Sequence, residues 1–378
     1  MTAPLLFTPL TLCGVELPNR IVVSPMCQYS AIDGMANDWH LVHLGKFAQG
    51  GAGTVFVEAT AVRADGRITH GDLGLWSDEQ IIPLRRIADF LVGQGSIPAI
   101  QLGHAGRKAS TQRPWYGNGP LGPEDMARGD NSWAVVAPSP MPTDSGWLMP
   151  TELTVADLDG LCDAWKSATL RALEAGFQVI EIHAAHGYLL HEFLSPLSNF
   201  RTDAYGGEIE GRMRFPLEVV EAVRCVLPKD LPLFVRISAI DGVDGGWSLD
   251  DSGVFARALK VRGVDVVDCS SGGVGGPVTA ARIPRGPGFQ VPFAASVRKA
   301  ADVRTMAVGL ILDGQQAEDA LQSEQADLIA IGREVLFNPN WPVQARAALG
   351  IEGSENWTNW PAQYGWWLER RERILRRS

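Results

Sequence analysis

The sequence predicts an eight-stranded α/β barrel, the (β/α)8 or TIM barrel, and three observations predict it. Eight short, β-rich apolar runs recur along the chain. Segments with helical periodicity separate them. The chemically distinctive residues gather where the runs finish, which is where barrels of this class build their sites.

In order, the runs are "NRIVVSPM" (20–27), "GTVFVEAT" (53–60), "IPAIQLGH" (97–104), "FQVIEIHA" (177–184), "LPLFVRIS" (231–238), "VDVVDCSS" (264–271), "TMAVGLI" (305–311) and "ADLIAIGR" (326–333). A strand apolar along its length, rather than alternating, suits a parallel sheet covered on both faces, and the helices between supply the cover. "ADLDGLCDAWKSATLRALEAG" (156–176) is such a helix and stops at a glycine. A doubly wound open sheet uses the same alternation and is the alternative topology. Ahead of the first run, "LFTPLTLCGVELPNR" alternates and breaks at Cys-Gly, which predicts a hairpin closing the barrel floor. The stretch from about 105 to 150 is rich in Gly, Pro and Trp and holds no barrel helix. An insertion after strand three belongs on the rim, where it can cover a site. The chain reads as one domain, 1–378, with a separate C-terminal segment from about 356 to 378.

Composition narrows the function. The 378 residues are 46% hydrophobic and 20% charged, as in an ordinary soluble globular protein. Thirty-three basic residues against 43 acidic ones give a net charge of −10, and the basic residues form no stripe outside the C-terminal "LERRERILRRS". Nucleic acid is therefore not an expected partner, and an anionic cofactor has to be held by single arginines and backbone amides. The cysteines, at 13, 27, 162, 225 and 269, lack the two-residue spacing of a zinc or iron–sulfur site and suggest reduced thiols in a cytoplasmic protein. No stretch reaches about 18 unbroken apolar residues, so no membrane span is expected.

At the run ends stand Cys27 and Tyr29, Ala59 and Thr60, Gln101 and His104, His183, His186 and Tyr188, Arg236, and the pair Gly332–Arg333. Histidines three apart on a helix can grip zinc. In "IEIHAAHGYLLHEFLSP" (180–196), however, a short buried strand breaks into a turn at Gly187, which puts the histidines on a loop at a strand's end. A buried cysteine, arginine or glutamine also has an ordinary packing or pairing role. It is the convergence of the set on one mouth that points to function.

"SPMCQYSAIDGMANDWHLVHLGKFAQGGAGTVFVEATAV", "QLGHAGRKAS", "HAAHGYLLHEFLSPLSNFRTDAYGG", "GRMRF" and "AIGREVLFNPNWP" together resemble the Old Yellow Enzyme family of flavin ene-reductases, over about residues 6 to 368. The subgroup most similar is the cysteine-containing, thermophilic-like one that includes xenobiotic reductases. The resemblance implies non-covalent FMN, reduction by NADPH and hydride transfer to activated alkenes such as enones, enals, maleimides and nitroalkenes. Carried onto this sequence, Ser24, Pro25, Met26 and Cys27 line the flavin, Ala59 and Gln101 meet its polar edge, and Arg236 faces its N1–C2 end. Gly309, Gly332 and Arg333 hold its phosphate. His183 and His186 hydrogen-bond the substrate oxygen, Tyr188 delivers a proton to the α-carbon, and Tyr29 adds a hydroxyl to the substrate pocket. Val308 stands where relatives commonly carry tryptophan. The resemblance further implies a homodimer or dimer of dimers in which Trp366 or Trp367, from "QYGWW", reaches the neighbouring mouth. The competing class is a non-redox barrel, either a metal-dependent hydrolase using His183 and His186 or a binding protein.

Overall fold

In the computed structural model, residues 4–275, 283–351 and 355–376 are described. The eight runs form the eight strands of a closed parallel barrel: β3 (Ile21–Val23), β4 (Thr54–Ala61), β5 (Ile97–Gly103), β8 (Val179–Ala184), β9 (Leu233–Ser238), β10 (Val266–Ser270), β11 (Arg304–Ala307) and β12 (Leu328–Ile331), with β12 pairing back onto β3. The open-sheet alternative is thereby set aside. Nearly every residue of these strands is buried, because the inner face packs on the opposite wall and the outer face on helices.

The barrel helices start and stop where local chemistry dictates. In α4 (Val155–Glu174) the Thr154 hydroxyl accepts from Asp157 N–H, and the chain leaves the helix through Gly176 at φ +93°. In α7 (Leu249–Val261) Ser248 caps the helix in the same way.

Before the barrel, β1 (Leu10–Leu12) and β2 (Val15–Leu17) pair antiparallel around a Cys13–Gly14 turn. Leu12, Val15 and Leu17 pack into one cluster with Val22, Phe56, Val179, Phe234 and Val266 from inside the barrel, so the hairpin plugs its floor as the alternation predicts. The rim stretch after β5 contains the short helix α3 (Pro123–Ala127) and a two-residue parallel ladder, β6 (Val136–Ala137) with β7 (Thr151–Glu152). Its Ala105, Ala109 and Val135 form a small apolar cluster on which Trp133 and Tyr188 pack.

The period-2 geometry of strands explains how one sequence builds both a core and a site. Val179, Phe234 and Val266 point inward and make the apolar lower layer. Two residues on along β8, β9 and β10 come Glu181, Arg236 and Asp268, a charged middle layer. Two further on come His183, Ser238 and Ser270, at the upper mouth. Hydrophobicity supplies the lower layer, and polarity occupies the middle and upper layers, toward the end where ligands enter.

Candidate active site

The turn after β8 carries the densest chemistry. His183 Nδ1 accepts a hydrogen bond from Ala185 N–H (3.2 Å), which leaves its proton on Nε2. That Nε2 stands 3.3 Å from His186 Nδ1, and His186 Nε2 stands 2.7 Å from Ser270 Oγ. Assigned in sequence, His183 donates to His186, His186 to Ser270, and Ser270 to Gln290 Oε1 (3.4 Å). Burial, reinforced by the charge of Arg236, holds both imidazoles well below their ordinary pKa of 6.5, so both are neutral at neutral pH. The expected consequence is that KM for an uncharged substrate shows no break near pH 6.5. A break there in the pH profile, absent from the His183→Gln and His186→Gln variants, would contradict neutral rings.

The backbone between the histidines and Tyr188 is unusual. His186 has φ +60° and Gly187 φ +72°, two successive left-handed residues. His186 N–H donates to Ser238 Oγ (2.9 Å), and Gly187 N–H to His191 Nδ1 (2.8 Å). His191 in turn meets the buried Asp241 at 2.9 Å. A Cβ on Gly187 would lie 2.1 Å from the Gly273 carbonyl oxygen. Gly187→Ala therefore combines a backbone clash with a disfavoured φ, and is expected to cost about 1–3 kcal/mol or more. Thermal unfolding of the variant checks this, an unchanged midpoint being the contrary result.

The rings of Tyr188 and His183 pack nearly perpendicular, with centroids 4.9 Å apart, and burial pushes the Tyr188 phenol well above the ordinary value of 10.0. Tyr29 sits at φ +51°, edge-on to Trp115, and burial also raises its phenol. The Cys27 thiol is pushed well up by burial and by the nearby carboxylates of Asp72 and Glu58, so it stays protonated. That is the opposite of an activated nucleophile. Ala59, past a bulge in β4 and opposite Gln101 on β5, borders a small niche with His104, His183 and Tyr188.

A cavity of about 340 Å³ runs from His186 past Arg236, Ser270 and Gln290 to Gly309 and Arg333. Gly309 has φ +116°, where a side chain would be strained, and a Cβ there would come within 2.9 Å of Gln290. Gly332 faces Ser24 and Met26, the atoms nearest to an added Cβ being 3.7 Å (Met26 Sδ) and 3.9 Å (Ser24 Cβ) away. Val308 is one of the lining residues. Beneath this cavity lies the charged layer. Gln101 Nε2 donates to Glu181 Oε1 (2.7 Å), and Arg236 Nε stands 3.0 Å from Asp268 Oδ2. Burial pushes Glu181 well above the usual carboxylate range, the charge of Asp268 adding to it and Arg236 opposing it. Asp268 is raised by burial against the same arginine.

The geometry thus brings together Ser24, Met26, Ala59, Gln101, His183, His186, Tyr188, Arg236, Gly309, Gly332 and Arg333, with Pro25, Cys27 and Tyr29 on the loop after β3. Trp366 and Trp367 lie elsewhere, exposed on the terminal helix α13 (Ala362–Leu375), with their rings packed edge to face 4.4 Å apart. Gln290, Glu181, Asp268 and Lys108 are site neighbours that the run-end criterion overlooks, and Ser270, though it stands at a run end, is not among the residues singled out there. For Glu181 and Asp268 a signal exists, since each is a lone acid inside an apolar run, "VIEIHA" and "VVDCS".

The residues present fit an FMN. Ser24 Oγ is buried without a hydrogen-bond partner, Arg236 forms part of the cavity wall, and two side-chain-free positions stand beside Arg333 at the far end. Comparison with known proteins agrees. Residues 5–352 match the NADH:flavin oxidoreductase / NADH oxidase family. The chain is 45% identical to an NADPH dehydrogenase of Geobacillus over 92% of its own length and 95% of that protein's. It is 46% identical to an NADPH dehydrogenase of Bacillus subtilis, over 92% and 96%. Among solved structures, morphinone reductase superposes with a TM-score of 0.74 at 26% identity, covering 92% of this chain and 90% of that one. A 2-naphthoyl-CoA reductase superposes at 0.79 with 22% identity, over 92% of this chain and 52% of the other, which is a likeness of fold. The chain belongs to the NADH:flavin oxidoreductase / NADH oxidase family, that of Old Yellow Enzyme, and is an NADPH-dependent FMN oxidoreductase.

Proposed function

We propose that the oxidant served by this enzyme is an alkene activated by a carbonyl, nitro or similar group, and that it belongs to the cysteine-containing, xenobiotic reductase-like subgroup. The observation that carries the reading is the His183–His186–Tyr188 cluster, in which two neutral donors and a high-pKa phenol share one mouth. FMN, when bound, supplies the hydride that it takes from NADPH. The chain's residues do the rest. A substrate oxygen entering between the histidines takes the N–H of His183 now spent on His186 and that of His186 now spent on Ser270. These donors steady the negative charge that grows on the oxygen as hydride reaches the β-carbon. The O–H bond of Tyr188 then breaks, a C–H bond forms at the α-carbon, and the phenolate is reprotonated from water. Both histidines are neutral, so they act as hydrogen-bond donors rather than as acids.

Ser24, Pro25, Met26 and Cys27 would hold one face of the isoalloxazine, with Ala59, Gln101 and Arg236 along its polar edge. Because the Gln101 amide nitrogen is committed to Glu181, its oxygen is the atom available to a flavin N–H. Arg236 would set positive charge beside the pyrimidine end, and Gly309, Gly332 and Arg333 would take the phosphate. Tyr29 and Val308 would shape the substrate's side of the mouth.

The test is an anaerobic titration. Protein bleached by one equivalent of NADPH is expected to regain its yellow colour on adding one equivalent of an enone or maleimide, with the saturated product recovered. A bleached flavin that oxygen restores but no activated alkene does would overturn the reading. Among the described residues no group of three or more His, Cys, Asp or Glu side chains is placed to hold a metal ion.

The reading extends to a homodimer or dimer of dimers, supported by the exposure of Trp366 (49%) and Trp367 (66%) away from their own chain's cavity. Truncation after Asn359 is expected to lower both the associated mass and the affinity for substrate. A truncated enzyme of unchanged mass and KM would dismiss the shared site.

A further inference from the structure

"QLGHAGRKAS" contains a cation that no role above absorbs. Lys108 closes a short helical turn after β5 and points back under the site. Its ammonium donates to the carbonyl of His186 (2.8 Å) and to that of Gly273, and stands 5.9 Å from the centroid of the Tyr188 ring. The neighbouring Arg107 donates to the Val274 carbonyl (2.6 Å), so the two basic residues tie the loop after β10 to the rim. Lys108 makes no ion pair among the described residues. Glu192, the acid whose charge acts on Lys108, accepts from Arg107 N–H through Oε1 (2.9 Å).

A cation placed against two carbonyls and a tyrosine face, rather than against a carboxylate, keeps its field for the groups it touches. The left-handed turn at His186 and Gly187 needs an external partner for its carbonyl, and Lys108 supplies one. The phenolate left when Tyr188 gives up its proton needs a counter-charge in a buried setting, where Arg236 supplies part of it and the carboxyl of Asp72 opposes it. We propose that Lys108 is a positioning residue of the alkene half-reaction, clamping the His186–Tyr188 turn onto the loop after β10 and holding positive charge over the ring from which the proton departs. This rests on Tyr188 being the proton donor. The interaction of a desolvated cation with a tyrosine ring corresponds to roughly ten-fold or somewhat more in rate.

Burial, with Arg107 adding to it and Glu192 opposing, lowers the Lys108 pKa to about 8. The ammonium is therefore present below that pH and lost above it. Histidines 183 and 186 are neutral across this range, and Glu192, itself pushed up to about 8, titrates alongside; its backbone N–H donates to the Tyr188 carbonyl (2.9 Å), but its carboxylate, which accepts from Arg107 N–H, bonds neither Tyr188 nor His186. Rapid-mixing measurement of flavin reoxidation by a cyclic enone tests the proposal. In the wild type the rate is expected to fall as pH rises through about 8. Lys108→Arg should keep the rate and remove that fall. Lys108→Met should be slower by roughly ten-fold, while reduction by NADPH changes less, and its effect should shrink when combined with Tyr188→Phe.

The clamp has its own readout, the affinity of a neutral aromatic aldehyde followed by the shift of the flavin spectrum. Lys108→Met should weaken it and Lys108→Arg restore it. Unchanged rate and affinity in Lys108→Met overturn the proposal, as does an equal slowing with and without the Tyr188 hydroxyl. If Tyr188→Phe alone leaves the alkene step at full speed, the proton-donor assignment fails, and the affinity series alone judges the clamp.

Discussion

Tyr188→Phe is expected to slow the alkene half-reaction by about 10²–10⁴-fold while leaving flavin reduction by NADPH nearly intact. The asymmetry follows from what each half needs. Hydride transfer from NADPH requires the shared mouth and its histidines but no proton from the protein. Alkene reduction ends with a new C–H bond at the α-carbon, and the buried phenol, protonated at neutral pH, is positioned to supply it. The loss of one hydroxyl leaves the ring packed against His183 and the apolar cluster of Ala105, Ala109 and Val135, so the fold is preserved. Rapid mixing separates the halves. Equal damage to both would mean that Tyr188 is structural, and no damage that water or another group protonates the product.

Arg236→Met carries the second large effect, on stability and on the flavin together. Asp268 is fully buried and, among the described residues, both its carboxylate oxygens lack a hydrogen-bond partner and the guanidinium 3.0 Å away is the cation paired with it. Removal of one member of such a pair typically costs about 3–5 kcal/mol, because the remaining charge is stranded. The same substitution removes positive charge from the cavity wall, so bound FMN should be lost on gel filtration. Asp268→Asn in the Arg236→Met background should recover much of the unfolding midpoint without recovering FMN retention. Recovery of both together would tie the flavin to overall stability rather than to Arg236.

The barrel was legible in the sequence because all eight strands are buried on both faces, and unbroken apolar runs are the direct trace of that burial. The floor hairpin was legible for the opposite reason, since only one of its faces is covered and Val15, Glu16 and Leu17 alternate accordingly. The mouth residues stood out because so many polar groups converge at the ends of the apolar runs, although each taken singly has an ordinary packing or pairing role. What the sequence concealed is what depends on contacts between distant segments. Lys108 looks like an ordinary surface lysine in "GRKAS", and its orientation toward His186, 78 positions away, is set by the barrel's closure. Ser270 and Gln290 are common residues whose part in the donor chain appears only when β10 and the loop before α8 (Val291–Ala301) meet His186. The histidines themselves were expected to aim at one ligand oxygen. They bond in series, His183 to His186 to Ser270, an order that only the meeting of β8 and β10 reveals.

The most direct test of the account follows two isotopes into one product. With NADPH deuterated at the transferring position and ordinary water, a cyclic enone should acquire a single deuterium at the β-carbon. With ordinary NADPH in deuterium oxide it should acquire one at the α-carbon, and Tyr188→Phe should slow the turnover that places it there. Deuterium from NADPH at the α-carbon, or consumption of NADPH with no label in recovered enone and hydrogen peroxide as the sole product, would contradict hydride delivery to an activated alkene at this mouth.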